Sequence, residues 1–198
     1  MKNYYQLMGK PERILLWGSN LWLFADGMLG PLFAVFSQKV GGNVLDISWA
    51  WAVYIGVTGI FVIIAGAVSD RVSKEKMLVT GYALTAVFTF CYLLVSKPIH
   101  LLLVQAGLGL ALGLSNPTWF ALYDLHTHPD RKGFSWGLED GTGKMITALA
   151  ILIGGVIVRY WSFKALFIIM GTLQVFAALY QAQLLRKDLK KLSPSSAD

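Results

Sequence analysis

Four ionisable side chains lie inside long apolar segments of this chain: Asp26, Glu139, Asp140 and Lys144. A charge at the centre of a membrane helix costs about 2.5 to 3.5 kcal/mol by insertion measurements, so such groups normally face a bundle interior or a watery cavity. A carboxylate there can bind a charged solute, or exchange a proton as its surroundings open and close. Asp140 and Lys144 have the spacing of a helical ion pair, and whether that pair is functional or only neutralises charge stays open.

Asp26 is the leading candidate, because helical spacing places Ser19, Trp22, Asp26 and Gly30 along one stripe of the first apolar segment. Gly27, Gly30 and Pro31 would let this helix bend or approach a neighbour closely. We therefore predict that the stripe contacts a solute. The predicted solute-binding or proton-binding set comprises Asn20, Trp22, Asp26, Asn116, Trp119, Glu139, Asp140 and Lys144.

Another group with chemical potential is the alternating run Asp124, His126, His128 and Asp130. Such side chains can bind zinc, but alternation within a polar loop is a weak signal for a metal. No nucleophile with a base, phosphate loop or nucleotide motif accompanies the run. We therefore predict no metal site, no enzymatic activity and no cofactor other than a proton or other ion gradient.

The elements that carry these residues are six apolar segments, which fill nearly the whole chain. Of its 198 residues, 56% are hydrophobic and 14% are charged, compared with about 25% charged in soluble proteins. About 20 apolar residues are needed to cross a bilayer core. We predict an all-α, multi-pass protein with a single transmembrane domain over residues 1–198. Its expected helices lie near 14–37, 48–69, 77–96, 99–123, 134–158 and 164–185, with a basic, flexible tail at 186–198.

The basic residues predict the orientation. If both termini are cytoplasmic, twelve of the 17 Lys and Arg residues lie inside, four lie outside and Lys144 lies within a segment. This is a strong positive-inside bias, so the net charge of +6 is a topology signal and does not indicate nucleic-acid binding. We predict an inner-membrane or plasma-membrane protein, with lipid as a partner. Its first helix is expected to be a retained span, because the N-terminus lacks the pattern of a removable signal peptide.

The junction between the second and third segments has the form G-x-x-x-D-R-x-x-K-x-K. It resembles the signature loop of the major facilitator superfamily, with Ser73 where the family usually has a second glycine. Two further stretches, 131–133 and 161–163, are similar to that family at the starts of the fifth and sixth segments. The resemblance covers the entire chain and implies a gating role for the loop residues Gly66, Asp70, Arg71, Lys74 and Lys76.

The resemblance also implies a partner. Members of the family generally have two six-helix bundles, with substrate held near the midplane between them. This chain supplies one bundle, so we predict a homodimer with its twofold axis along the membrane normal. A separately encoded partner half and a truncated relic remain alternatives.

The implied contacts across that dimer follow from the family's arrangement. Asp70 would meet the start of the fifth helix of the second copy, near residues 133–137, where helix amide donors and the positive dipole end favour a carboxylate. The second and fifth helices would form the seam, which gives four seam residues: Tyr54, Thr58, Trp136 and Thr147.

The function that the resemblance implies is a half-sized secondary transporter, which moves a small polar or cationic solute by alternating access. Proton coupling is a hypothesis that follows from the carboxylates within the spans. The alternative from another class is a non-transporting membrane scaffold or assembly partner. A water-filled cavity at the seam would favour the transporter.

Overall fold

The computed structural model describes residues 8–185, which form α-helices and short turns without a strand. The helices are α1 Lys10–Gly27, α2 Leu32–Lys39, α3 Val44–Ser69, α4 Lys74–Cys91, α5 Pro98–His126, α6 Lys132–Tyr160 and α7 Phe163–Gln181. Five of them are long and apolar enough to cross a membrane, and the bent pair α1 and α2 makes a sixth span. The predicted all-α, six-span fold is confirmed. The predicted basic tail at 186–198 lies outside the described residues, as does Lys2.

The first span is broken near its middle. α1 ends at Gly27 and α2 begins after Pro31, with an angle of 44° between the two helices. Pro31 has no backbone N–H and cannot continue the hydrogen-bond ladder of α1. Residues 28–30 instead form a turn, in which the Leu29 amide donates to the Asp26 carbonyl at 3.2 Å. The bend predicted from the glycines and the proline is present, and it places Asp26 one residue before the end of α1.

Two helix starts show how local sequence sets the boundaries. α3 begins at Val44 rather than near residue 48, because Asn43 and Asp46 form a capping box. The Asn43 side chain accepts from the Leu45 amide at 2.8 Å, and the Asp46 carboxylate accepts from the Asn43 amide at 2.8 Å. Ser73 caps α4 by accepting from the Lys76 amide at 3.3 Å. The serine that departs from the usual family pattern therefore starts the third span.

The helices pack in the series α3, α5, α4, α7, α1 and α6, each against the next. Small residues allow the closest of these approaches. A Cβ added at Gly109 of α5 would lie 2.6 Å from the Tyr54 carbonyl of α3, and one at Gly113 would collide with Phe61. Gly109 and Gly113 thus give α5 a small-residue surface against which α3 packs closely.

The two helices at the ends of this series, α3 and α6, are the least covered. In the most apolar window of α3 only 11% of residues are buried, and in that of α6 only 22%, compared with 44% in α4, α5 and α7. The buried positions of α3 are Ala50, Ala65 and Ser69. The bundle therefore leaves one long side of α3 and of α6 without a protein neighbour among residues 8–185.

Candidate functional site

Asp26 lies in a cavity between the helices, at the break of the first span. We call this the Asp26 cavity. Its carboxylate is exposed to the cavity, and no described residue forms a hydrogen bond or ion pair with it. The walls come from six helices and two turns, and they include Trp22, Gly30, Phe33, Trp51, Tyr54, Thr85, Tyr92, Gln105 and Thr147. Of the predicted stripe, Trp22, Asp26 and Gly30 line this cavity, and Ser19 does not.

Hydrogen bonds within the protein hold three of the polar side chains that line the Asp26 cavity. The Tyr92 hydroxyl donates to the Gln105 side-chain oxygen at 3.2 Å, and both side chains are buried. The Thr85 hydroxyl donates to the Gly81 carbonyl at 3.0 Å. Asp26 therefore stands as an unpaired charge in a cavity where Thr85, Tyr92 and Gln105 already have hydrogen-bond partners.

A second cavity adjoins the first and shares Trp22 and Leu112 with it. It is the Asn116 cavity, lined by Ser19, Trp22, Tyr82, Ser115, Asn116, Trp119, Phe120 and Glu139, among others. The Trp22 indole N–H is buried and lacks a hydrogen-bond partner within residues 8–185. A buried donor without a partner costs free energy. The Trp22 side chain lines both cavities.

The ionisable residues of α6 line a third depression beside the other two. It shares Glu139 with the Asn116 cavity and Thr147 with the Asp26 cavity. Lys144 and Asp140 form the predicted ion pair, and their side chains are 73% and 67% exposed. All of the predicted ionisable residues therefore line these neighbouring cavities.

Three predicted residues have places within the helix packing. Asn20 is 2% exposed and donates to the Thr142 hydroxyl of α6 at 3.1 Å, and it does not line these cavities. Trp119 borders the Asn116 cavity, but its N–H donates to the Leu15 carbonyl at 3.4 Å. Trp136 packs inside the bundle, with its ring 5.0 Å from that of Tyr123. Asn20 thus joins α1 to α6 through a hydrogen bond.

The other predicted seam residues lie on α3 and α6. Tyr54 and Thr147 both line the Asp26 cavity. The Thr58 hydroxyl donates to the Tyr54 carbonyl at 2.7 Å, within α3. Tyr54 and Thr147 are therefore placed where the seam and the cavity would meet.

The loop after α3 presents a carboxylate to water. The Asp70 side chain is 82% exposed and lies 3.7 Å from the Lys74 ammonium. Lys74 also donates to the Ser69 carbonyl at 2.8 Å and so ties the start of α4 to the end of α3. Arg71 and Lys76 are exposed, and Gly66 in the last turn of α3 is half-buried. Asp70 is therefore accessible at one end of the bundle, beside the uncovered side of α3.

The histidine-containing run is held by local bonds. The Lys132 ammonium donates to the Asp124 carboxylate at 2.7 Å, and the His128 ring accepts from the Asp130 amide at 3.4 Å. Over residues 8–185 there is no group of three His, Cys, Asp or Glu side chains placed to hold a metal.

Sequence reasoning missed a buried carboxylate, Glu12. It is 2% exposed and accepts a hydrogen bond from the Ser135 hydroxyl at 2.8 Å. The Tyr123 hydroxyl donates to the Ser135 carbonyl at 2.9 Å, so the group joins α1, α5 and α6. An acidic residue in the first turn of a helix is ordinarily exposed to water, where it interacts favourably with the helix dipole. No pattern in the sequence indicates that Glu12 is buried.

Six apolar spans around a cavity with ionisable side chains define a polytopic membrane protein. Over residues 15–197 the chain matches the family model described as Major Facilitator Superfamily. The chain belongs to the major facilitator superfamily, a family of transporters. The resemblance of its loop pattern is thereby confirmed.

Similar proteins include the multidrug resistance protein MdtG of several bacteria. The chain is 22% identical to that of Escherichia coli O17:K52:H18 over 193 residues, which cover 94% of this chain and 47% of the relative. It is 20% identical to that of Erwinia billingiae and 22% to that of Klebsiella pneumoniae, each over 85% of this chain and 42% of the relative. The chain thus spans less than half the length of these curated relatives.

Proposed function

We propose that this chain forms one half of a secondary transporter, in which a second copy closes the Asp26 cavity around a small polar or cationic solute. The observation that carries the proposal is the unpaired Asp26 carboxylate, exposed at a helix break within a cavity that borders α3 and α6. A charge at this depth is costly against lipid, and a facing protein surface with water between would relieve that cost.

The uncovered side of the bundle supports a protein partner. Several glycines of α3 and α6 have open space where a Cβ would be: Gly56, Gly59, Gly66, Gly133, Gly137, Gly141 and Gly155. Helices in lipid associate through small residues that let their backbones approach closely. The exposed Asp140 and Lys144 lie on one of the same two helices. A second bundle docked there would cover both the glycines and the charges.

The chemistry of the cavity favours a solute with a cationic or polar group and an apolar body. The Asp26 carboxylate would attract the charge, while Trp22, Trp51 and Phe33 supply ring faces and edges. Rings of this kind also attract organic cations. The name of the MdtG relatives refers to multidrug resistance, and a cavity with one acid and aromatic walls suits organic cations of varied shape.

The orientation is part of the proposal. Among the described basic residues, Lys10, Arg13, Arg71, Lys74, Lys76, Arg131 and Lys132 lie at one end of the bundle, and Lys39, Lys97, Arg159 and Lys164 at the other. The positive-inside rule places the first end in the cytoplasm of an inner or plasma membrane. Asp70 then lies at the cytoplasmic end, where it would meet residues 133–137 of the second copy and hold the inner gate closed.

The gating role of Asp70 is tested by the accessibility of reporter cysteines. With single reporter cysteines at the two ends of the cavity, Asp70→Asn is expected to raise labelling from the cytoplasmic side and lower it from the outer side. Asp130→Asn, an exposed acid in another loop at the same end, is the matched control. Equal labelling of the Asp70 variant and the parent would remove the gating role.

The solute proposal is tested by Asp26→Asn in protein reconstituted into vesicles. Uptake of a fluorescent organic cation and of a neutral sugar is measured with and without an imposed proton gradient, again with Asp130→Asn as control. We expect Asp26→Asn to abolish gradient-driven uptake of the cation, because the carboxylate provides both attraction and a proton site. Undiminished, proton-dependent uptake by the Asp26 variant would refute its role. A parent protein that transports neither solute and shows no water-filled seam would favour the scaffold.

A further inference from the structure

A cleft at the opposite end of the bundle from the Asp70 loop shares only Tyr92 with the cavities of the candidate site. The end of α2, the turn at Tyr92–Leu94 and the start of α7 form it. Neither α3 nor α6 contributes to its lining, so it is separate from the proposed seam. We call it the outer cleft, and its main side chains are Phe36, Lys39, Ser96, Phe163, Lys164 and Phe167.

The floor of the outer cleft is a set of packed aromatic rings. The Phe36 ring lies 4.8 Å from that of Phe167 and 5.2 Å from that of Phe163. Tyr92 stacks on Phe167 at 4.8 Å, and all four side chains are buried. Such rings gain from edge-to-face and offset-stacked contacts, which fix the floor in place. The cleft therefore offers an apolar surface of constant shape.

The rim of the outer cleft carries two ammonium groups. Lys39 Nζ lies 5.4 Å from the centre of the Phe163 ring, a cation–π contact that keeps the charge above the floor. Neither Lys39 nor Lys164 pairs with a carboxylate within residues 8–185. Asp46, at the start of α3, accepts from the Asn43 amide within its helix cap. The cleft is thus positively charged, because no carboxylate within residues 8–185 forms an ion pair with Lys39 or Lys164.

We propose that the outer cleft binds the headgroup phosphate of an anionic phospholipid. At the boundary between bilayer and water, a phospholipid presents a phosphate directly above acyl chains. Lys39 and Lys164 would hold the phosphate, while the first acyl carbons would lie on the aromatic floor of Phe36 and Phe163. A free anion would use the ammonium groups alone, so the combination of cationic rim and apolar floor favours the lipid. The inference rests on neither transport nor dimer formation.

The test measures lipid binding to the full chain by native mass spectrometry in detergent. The protein is titrated with phosphatidylglycerol, which is anionic, and with phosphatidylcholine, which has no net charge. We expect the parent to prefer phosphatidylglycerol, and Lys39→Gln/Lys164→Gln to weaken its binding by roughly 30-fold, from the contribution of two basic residues at a lipid surface. Lys97→Gln/Arg159→Gln is the matched control, since it removes two cations at the same end that do not line the cleft.

The proposal predicts that the control double variant keeps the parent's affinity and that Lys39→Arg/Lys164→Arg, which keeps both charges, also retains it. Thermal melting of each variant checks that it is folded. Equal loss of binding in the control and the cleft variant would mean a diffuse charge effect and would overturn the site. A parent without preference for phosphatidylglycerol would do the same. Displacement of the lipid by millimolar inorganic phosphate would identify a small-anion site and refute the lipid.

Discussion

The Ser135 hydroxyl donates a hydrogen bond of 2.8 Å to the carboxylate of Glu12, and this bond fastens the start of α6 to the start of α1. The two residues are 123 positions apart in the chain, and both are buried. A buried carboxylate that loses its donor keeps its desolvation cost. Removing the donor therefore lowers the stability of the protein by more than the net free energy that the intact bond contributes. The pair is a structural joint between the first and fifth spans.

Ser135→Ala should destabilise the protein by about 1 to 3 kcal/mol, because it leaves the Glu12 carboxylate short of a donor in a buried place. The free energy of unfolding in mixed detergent micelles provides the measurement. Ser48→Ala is the control, since the Ser48 hydroxyl donates only to the Val44 carbonyl on an exposed part of α3. A similar loss in the two variants would argue against a special role for the Glu12 bond.

Asn20 and Thr142 should show measurable coupling in a double-mutant cycle. Their bond of 3.1 Å joins α1 to α6 inside the bundle, and interhelical bonds of this kind average about 0.6 kcal/mol and reach about 1.7 kcal/mol in membrane proteins. We expect Asn20→Ala to lower stability while leaving solute affinity in the folded fraction unchanged. A change in solute affinity at equal stability would return Asn20 to the binding set.

The glycines of the uncovered helices should distinguish association from folding. Gly59→Leu on α3 adds a side chain in open space, whereas Gly113→Leu on α5 forces one into Phe61. The first variant should fold normally and lose self-association, and the second should fold poorly. Energy transfer between labelled copies in vesicles, together with thermal melting, separates the two effects. Full self-association by Gly59→Leu would place the partner surface elsewhere.

The Asp140 and Lys144 pair should matter for assembly rather than for protomer stability. Both side chains are mostly exposed, and a helical pair of this spacing contributes about 0.2 to 0.5 kcal/mol. Asp140→Asn/Lys144→Gln is therefore expected to leave thermal stability nearly unchanged and to weaken the dimer in the same energy-transfer assay.

The control for that pair is Asp124→Asn/Lys132→Gln, which removes another exposed ion pair at one end of the bundle. It should affect neither stability nor association. If the α6 double variant lowers protomer stability by several times the expected amount and leaves the dimer intact, the pair is structural.

The sequence predicted what depends on local periodicity. The six spans follow from runs of apolar residues, the bend of the first span follows from Gly27 and Pro31, and the facing of Trp22 and Asp26 into one space follows from their spacing. These features need only the geometry of a helix and the cost of charge in lipid.

The remaining features depend on contacts between distant parts of the chain. Asn20, like Asp26, is a polar residue within the first span. Its hydrogen bond to Thr142 of α6, however, makes it a packing residue rather than a cavity residue. Glu12 follows a proline at a helix start and would ordinarily be solvated, yet Ser135 meets it in a buried place. Which face of α1 meets α6 is set by packing of the whole bundle, and no local pattern encodes it.

The central claim is that one bundle is half of a transporter and that two copies enclose the solute. The most direct measurement determines copy number and solute uptake in the same vesicles. Fluorescently labelled protein is reconstituted at about one copy per vesicle, and photobleaching steps give the number of copies. Uptake of an organic cation is then recorded for each vesicle. We predict that vesicles with one copy take up no more solute than empty vesicles, and that uptake begins at two copies. Uptake by vesicles that hold a single copy would contradict the account.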